Sequence, residues 1–331
     1  MAAERQESGT AAGLSPWRLA ARRLRHDRTA LAFATLLVVL VALALAAPLW
    51  AHVAGTGGPS RNHLADTIVI DGHRTDVVSV DHVPIGPTWR PEFFLGADGN
   101  GRDVAVRLLY GARNSLLIGV GAALGSIFLA VTLGLLAGYL RGWVDAIISR
   151  GLDAIWAFPV LLLGIALGVS LSVQGLQLGP LSIGGDSKWI PTLIIAVVGA
   201  VYLARPIRGQ VLSLREQEFV EAARAQGAGP LRIMVGELLP NLATMILVFV
   251  PILVANSILL EAALSFLGAG VKAPDPSWGT MLADGVQLLT SAPHLTIVPG
   301  LMLVLTVLAL NVVADGLRKA IDPRAQIRLE G

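Results

Sequence analysis

The chain has 331 residues, 54% of them hydrophobic and only 15% charged, and a mean hydropathy of +0.68. Soluble domains carry about 25% charged residues, so this composition excludes an ordinary soluble protein and places the chain in the membrane class. The absence of cysteine excludes disulfides, thiolate metal sites and cysteine nucleophiles, and a formal net charge of +2 argues against a nucleic-acid partner despite a pI near 9.3.

Residues 1–29 form a basic N-terminal segment that holds Arg5, Arg18, Arg22, Arg23, Arg25 and Arg28. A helix crosses the hydrocarbon core with about 20 apolar residues. Ala30–Trp50 is uncharged and longer than the apolar run of a signal peptide, so it reads as an uncleaved anchor. Residues 51–110 are polar. Within them TIVIDGHRTDVVSV sets two β-branched runs around Asp71-Gly72, the pattern of a small hairpin. His52, His63, His73 and His82 alternate with Asp66, Asp71, Asp76 and Asp81, but their spacing is no ligand pattern, and they read as solvated loop residues. The run Asp98–Asp103 begins like a calcium loop. It has Leu109 where the twelfth-position glutamate belongs, so it reads as a turn before the next span.

Leu116–Leu140 is the second span. Its Gly121/Gly125 and Gly134/Gly138 pairs predict close helix packing. Asp145, Arg150 and Asp153 stand at the entrance to the third span, Ala154–Ser172, as interface anchors with a local ion pair or as a network at an inner gate. A glycine-rich, turn-forming loop, QGLQLGPLSIGGDSKW, leads to the fourth, Trp189–Ala204, which is short and needs flanking residues. Leu238–Leu267 is the fifth and Leu295–Ala314 the last, followed by a tail at 319–331. Glu261 is the one charge in the fifth span. A carboxylate at mid-membrane is unfavourable by about 2.5–3.5 kcal/mol. Two readings therefore stand: a pathway or gate residue, or a structural hydrogen bond near the outer helix end.

Lysine and arginine set the orientation. With a cytoplasmic N-terminus, segments 1–29, 141–153, 205–237 and 315–331 lie inside and hold most of the arginines, among them Arg141, Arg150, Arg205, Arg208, Arg215, Arg224, Arg232 and Arg318. Both termini are thus expected in the cytoplasm. The fold expected is an all-α integral membrane protein of six transmembrane helices.

The inner segment 205–240 has a structure of its own. SLREQEFVEAARAQ is a helix former with Leu214, Phe219, Ala222 and Ala223 near one face. Gly227 sits where a C-terminal helix glycine belongs, Pro230 suits the first turn of a second short helix, and Pro240 marks the start of the fifth span. The pattern allows a helix resting on the membrane surface or a docking knob for a cytoplasmic partner. EAARAQG followed by LP resembles the EAA signature of permease subunits in binding-protein-dependent ABC importers. Glu221, Ala222, Ala223, Gly227, Leu239 and Pro240 match it at the family spacing, while the usually apolar slot holds Glu237. The segments at 94–119, 138–159, 204–228, 258–282 and 315–324 extend the likeness to the C-type permease subunit of the dipeptide, oligopeptide and nickel branch. The insertions near 60–88 and 174–188 look longer than in its usual members.

The resemblance implies an N-terminal anchor and a five-helix permease core at 111–318, of the ABC type I importer class. It implies a coupling helix at 205–240 that sits in a groove of an ATP-binding subunit, with Glu221 making polar contacts, Ala222 and Ala223 allowing close approach and Gly227 setting the turn. The implied partners are a second permease, one or two ATPase subunits, an extracytoplasmic binding protein and the bilayer, in a bacterial plasma membrane. No phosphate loop G-x-x-x-x-G-K-[ST] occurs, and none of Lys188, Lys272 and Lys319 follows a glycine, so ATP and magnesium are expected on the partners and no catalysis or cofactor in this chain. An ATP-independent channel or secondary transporter is the competing function. An intramembrane enzyme is a third, but His294 is the one histidine near a span and no G-x-S-x-G or H-E-x-x-H occurs.

Overall fold

The computed structural model describes residues 25–70 and 72–321. The arginines at 5, 18, 22, 23, 324 and 328, the residue Asp71 and most of the tail lie outside the described residues. Helix α1 (Arg28–Leu45) starts on Asp27, whose carboxylate accepts from the Ala30 N–H at 3.0 Å. It gives way at Ala46 to α2 (Ala47–Ala54), so the expected anchor Ala30–Trp50 is two helices.

The polar segment that follows has a small core of its own. Strands β1 (Thr67–Ile70) and β2 (His73–Asp76) pair antiparallel with Ile70 opposite His73, the hairpin expected from the sequence. Val77, Val78, Phe93 and Ala97 are buried beside it. His63 departs from expectation. It is buried, with Nδ1 2.7 Å from Asp66 and Nε2 2.8 Å from the Thr56 carbonyl, while His52, His73 and His82 are exposed. The turn at 98–103 forms as expected. Asp98 is saturated by Arg102 at 2.7 Å, Arg107 at 3.2 Å and the backbone N–H groups of Asn100 and Arg102.

Helix α3 (Val104–Leu140) is capped by Asp103, which accepts from the Ala105 and Val106 N–H groups. It begins well before the predicted Leu116 because capping and polar contacts, which hydropathy does not register, fix its start. The third predicted span is corrected. Residues 154–172 are not one straight helix, since α4 (Gly142–Trp156) and α5 (Val160–Gln174) meet at 89°. Pro159 forces this break, because the residue before a proline is pushed out of the helical region. The loop that follows contains a hairpin of β3 (Leu176–Leu178) and β4 (Leu181–Ile183), which glycine content alone did not reveal. Then come α6 (Trp189–Leu214), the short α7 (Glu218–Ala225), α8 (Pro230–Phe266), α9 (Trp278–Val286) and α10 (His294–Ile321).

Among the described residues five helices are long and apolar enough to cross a membrane, and the bent α4–α5 pair makes a sixth. The seam between α3 and α6 organises the core. A Cβ on Gly134 would stand 2.6 Å from Ile207, one on Gly138 2.7 Å from Val211, and one on Gly125 2.9 Å from Ala196. The glycine pairs read from the sequence therefore let two backbones approach closely. Helices α8 and α1 pack against this seam, and α10 packs on both of them.

Candidate coupling surface

The segment between α6 and α8 is built by three local devices. Helix α6 ends at Leu214 with Arg215, not in one helix running to residue 226 as the sequence suggested. Gln217 then starts α7 in an extended conformation. At the far end Gly227 has φ +81°. Its N–H donates to the Arg224 carbonyl at 2.9 Å and the Ala228 N–H to the Ala223 carbonyl at 3.0 Å. This is the paired-bond termination that needs a left-handed residue, hence a glycine. Gly229 and Pro230 next open α8.

Helix α7 has two faces. Val220 is fully buried in the main core, with Phe219 and Ala223 half-buried beside it. Glu218, Glu221, Ala222 and Ala225 are exposed. The expected inner face is thus corrected at Ala222, which points outward, and Val220 is the anchor. A continuous surface follows across the turn, with Leu231 71% and Val235 53% exposed on the first turns of α8.

Pro240 does not start the span, because α8 runs through it from Pro230. The reason is the π-helical stretch Ile233–Leu238. Proline lacks an N–H and its ring collides with the carbonyl four residues back. A wider turn just before it removes the collision, and the Asn241 side chain donates to the Glu237 carbonyl at 2.7 Å.

Side chains bind this segment to its neighbours. The Arg215 guanidinium donates to the Tyr139 carbonyl at 2.7 Å, and Arg224 lies 5.5 Å from the Tyr139 ring. Burial first, then the nearby charges of Arg141 and Arg224, push the Arg215 guanidinium below its ordinary value. Arg141 pairs with Glu216 at 2.7 Å. Asp145 takes a two-pronged bond from Arg208, both arms 2.6 Å, and Asp153 pairs with Arg205 at 2.6 Å. Both aspartates pair across to α6 and not with Arg150, which is exposed. The eight-residue spacing of the aspartates and the three-residue spacing of the arginines were the available signal, since each pair shares one helix face.

The predicted site residues do not form one cluster. Glu221, Ala222, Ala223 and Gly227 lie on or beside α7, and Leu239 and Pro240 stand in α8, half-buried and exposed. Glu261 is 21 residues beyond Pro240 on the same helix, about 30 Å away at 1.5 Å per residue. It is fully buried, accepts from the Ser265 hydroxyl at 2.6 Å, and keeps its second oxygen without a partner. Ser115, which receives the Trp278 N–H, and Ser277 are buried alongside it.

Comparison with known proteins gives concordant matches. Residues 130–327 match the family model of the binding-protein-dependent transport system inner membrane component, and residues 15–64 that of the N-terminal transmembrane domain of oligopeptide transport permease C. The chain is 36% identical over 311 residues to the dipeptide transport system permease protein of Alkalihalophilus pseudofirmus, covering 94% of this chain and 91% of that one. It is 35% identical to the oligopeptide transport system permease protein of Bacillus subtilis (94% and 90% covered) and 34% to the glutathione transport system permease protein of Pectobacterium atrosepticum (94% and 92%). Among solved structures, an inward-facing MetNI methionine ABC transporter superposes with a TM-score of 0.51 at 18% identity, over 65% of this chain and 96% of that one. This last likeness speaks for the fold alone.

Proposed function

This chain belongs to the family of inner membrane components of binding-protein-dependent transport systems, and on that premise we propose how it works as the permease subunit of an ATP-driven importer of peptides or a related small solute. The observation that carries the reading is the exposed knob formed by α7, the Gly227 turn and the start of α8. It is too charged to enter the membrane and is anchored from behind by Val220. The peptide assignment rests on the dipeptide, oligopeptide and glutathione permeases to which the chain is similar.

In this reading Glu221 and Ala222 meet a groove of a cytoplasmic ATPase subunit, Ala223 seats α7 on the core, and Gly227 fixes the angle between the two helices. Leu239 and Pro240 pass the movement into α8. Glu261 bonds to Ser265 one turn on in the outer part of α8, beside the buried Ser115 of α3 and Ser277 at the start of α9, the structural alternative for that residue. ATP and magnesium are bound by the partner ATPases. A second homologous permease completes the pathway and an extracytoplasmic binding protein delivers the solute. The arginine distribution supports cytoplasmic termini in a bacterial inner membrane. Closure of the ATPases would move α6 and α8 together, because both are joined to α7, which is how a rigid contact drives a shift between two packed states.

The deciding experiment is a mild-detergent pull-down of the tagged chain with identification of the proteins that accompany it. Recovery of an ATPase, a second permease and a binding protein is the expected result. Recovery of the chain alone, together with ATP-independent transport, would favour a channel or secondary transporter and overturn the reading.

A further inference from the structure

Helices α5, α6 and α8 line an open, concave cavity of about 410 Å³. Its walls are mostly apolar, with Leu161 from α5, Ile195 and Val198 from α6, and Leu253 and Leu260 from α8. Three polar side chains, Asn256, Ser257 and Tyr202, stand among them, and none of the lining residues is charged.

Asn256 is the anomaly. It is exposed, and its carboxamide takes part in no hydrogen bond among the described residues. It lies 10 residues before the end of α8 at Phe266, about 15 Å along the helix. That is half the thickness of a hydrocarbon core of about 30 Å. An amide without partners is unfavourable in lipid, so this side chain faces something that can hydrogen-bond. The surrounding surface is concave, and its volume falls within the roughly 300–1,000 Å³ of small-molecule sites, which typically set a few polar groups in apolar walls.

We propose that this cavity is a solute-binding subsite on the translocation pathway, in which Asn256 holds a neutral amide group of the solute, such as a peptide bond. A carboxamide both donates and accepts, which matches the two sides of a peptide bond. The apolar walls accept uncharged side chains, and the absence of lining charge excludes recognition of a terminal charge or a metal cation here. Tyr202, one of the lining residues, packs on Trp156 at 4.9 Å, Arg205 lies over the same ring at 4.8 Å, and Asp153 pairs with Arg205 at 2.6 Å. Two of the lining helices, α6 and α8, flank the coupling segment, so the walls move with it. The inference rests on the permease reading above and names the chemistry of its solute contact.

Because the chain has no cysteine, Asn256→Cys introduces a single reporter. The transporter, assembled with cysteine-free partners in liposomes, is treated with a charged, membrane-impermeant methanethiosulfonate, and Val304→Cys on the exposed apolar face of α10 is the reference. Labelling at position 256 at least about tenfold faster than the reference, altered by ATP with vanadate, is the expected result. Trialanine, delivered with the binding protein, should slow that labelling, and Asn256→Leu should raise the KM for trialanine about 5- to 10-fold, the loss of one hydrogen bond in a desolvated site. Labelling only by a lipid-soluble maleimide would overturn the proposal in favour of a lipid-facing amide. Cross-linking to a cysteine on the second permease without aqueous labelling would overturn it in favour of a subunit interface. Aqueous labelling that trialanine leaves unchanged, with an unaltered KM, would overturn the solute contact. Failure of the unsubstituted transporter to bind ATPases or import trialanine with ATP would refute the permease or peptide reading separately.

Discussion

At φ +81°, Gly227 holds a conformation that an L side chain reaches only with strain, although a Cβ there would meet nothing within 4 Å. The demand is on the backbone alone. Gly227→Ala should therefore destabilise the turn by about 1 kcal/mol and weaken ATPase co-purification without abolishing it. Gly227→Pro removes the N–H that bonds Arg224 and cannot take a positive φ, so it should leave membrane insertion intact and abolish co-purification. Normal recovery of the ATPase with this variant would sink the coupling assignment. Asp103 makes a different demand. Its carboxylate caps α3 and also accepts from the Thr56 hydroxyl at 3.0 Å and the Phe93 N–H at 3.1 Å. Burial pushes its carboxyl above the ordinary 3.8, against these hydrogen bonds. A raised folded value means that this group favours the fold most below the unfolded value and loses that effect as pH rises through the folded one. Asn keeps the cap but does not titrate. Between about pH 4 and about pH 7 the melting temperature of Asp103→Asn should fall less than that of the parent, and an identical slope would remove Asp103 from the pH response.

The seam of α3 and α6 tolerates no added bulk. Gly134→Leu drives a branched side chain into Ile207, and overpacking of this kind destabilises by about 1–3 kcal/mol. The variant should lose monodispersity in detergent on size-exclusion chromatography, while Gly209→Ala, with nothing within 4 Å of its Cβ, should behave as the parent. Helix α4 is tied to α6 by Asp145–Arg208, whose side chains are 19% and 34% exposed. Partly screened, this two-pronged pair should show a coupling of about 1 kcal/mol in a double-mutant cycle. Asp145→Arg combined with Arg208→Asp should recover most of the stability that either change loses alone. The glycine pairs of the seam were legible because spacing by four residues places them on one face. The bend between α4 and α5 was also written in the chain, at Pro159, but a hydropathy window averages over a proline and reported one span. The pairing of α4 with α6 was not legible, since it joins residues more than 50 apart that only the fold brings together.

For the molecule as a whole, the order of the membrane helices, the polar segment after the first span and the charged knob before α8 were readable from hydropathy and charge placement. The surroundings of Glu261 were not. Its one hydrogen bond among the described residues is to Ser265 on α8, while the buried residues beside it come from α3 and the start of α9, and hydropathy assigns it a burden without naming what surrounds it. The arginines predict the direction of insertion, and the test lies at Val80, 92% exposed in the polar segment after α2. Val80→Cys in intact cells should react with an impermeant maleimide from outside. Reaction only after permeabilisation would invert the topology.

Helix α8 begins in the knob we propose for ATPase coupling and ends beyond Glu261, 37 residues without an intervening loop. It is therefore a beam about 55 Å long, loaded at one end and carrying the Asn256 cavity along its length. A tilt of roughly 5° imposed at the inner end would sweep the far end by about 5 Å, close to the width of a peptide backbone. A displacement too slight to disturb any single contact at α7 would thus arrive at the opposite membrane face large enough to open or shut a passage.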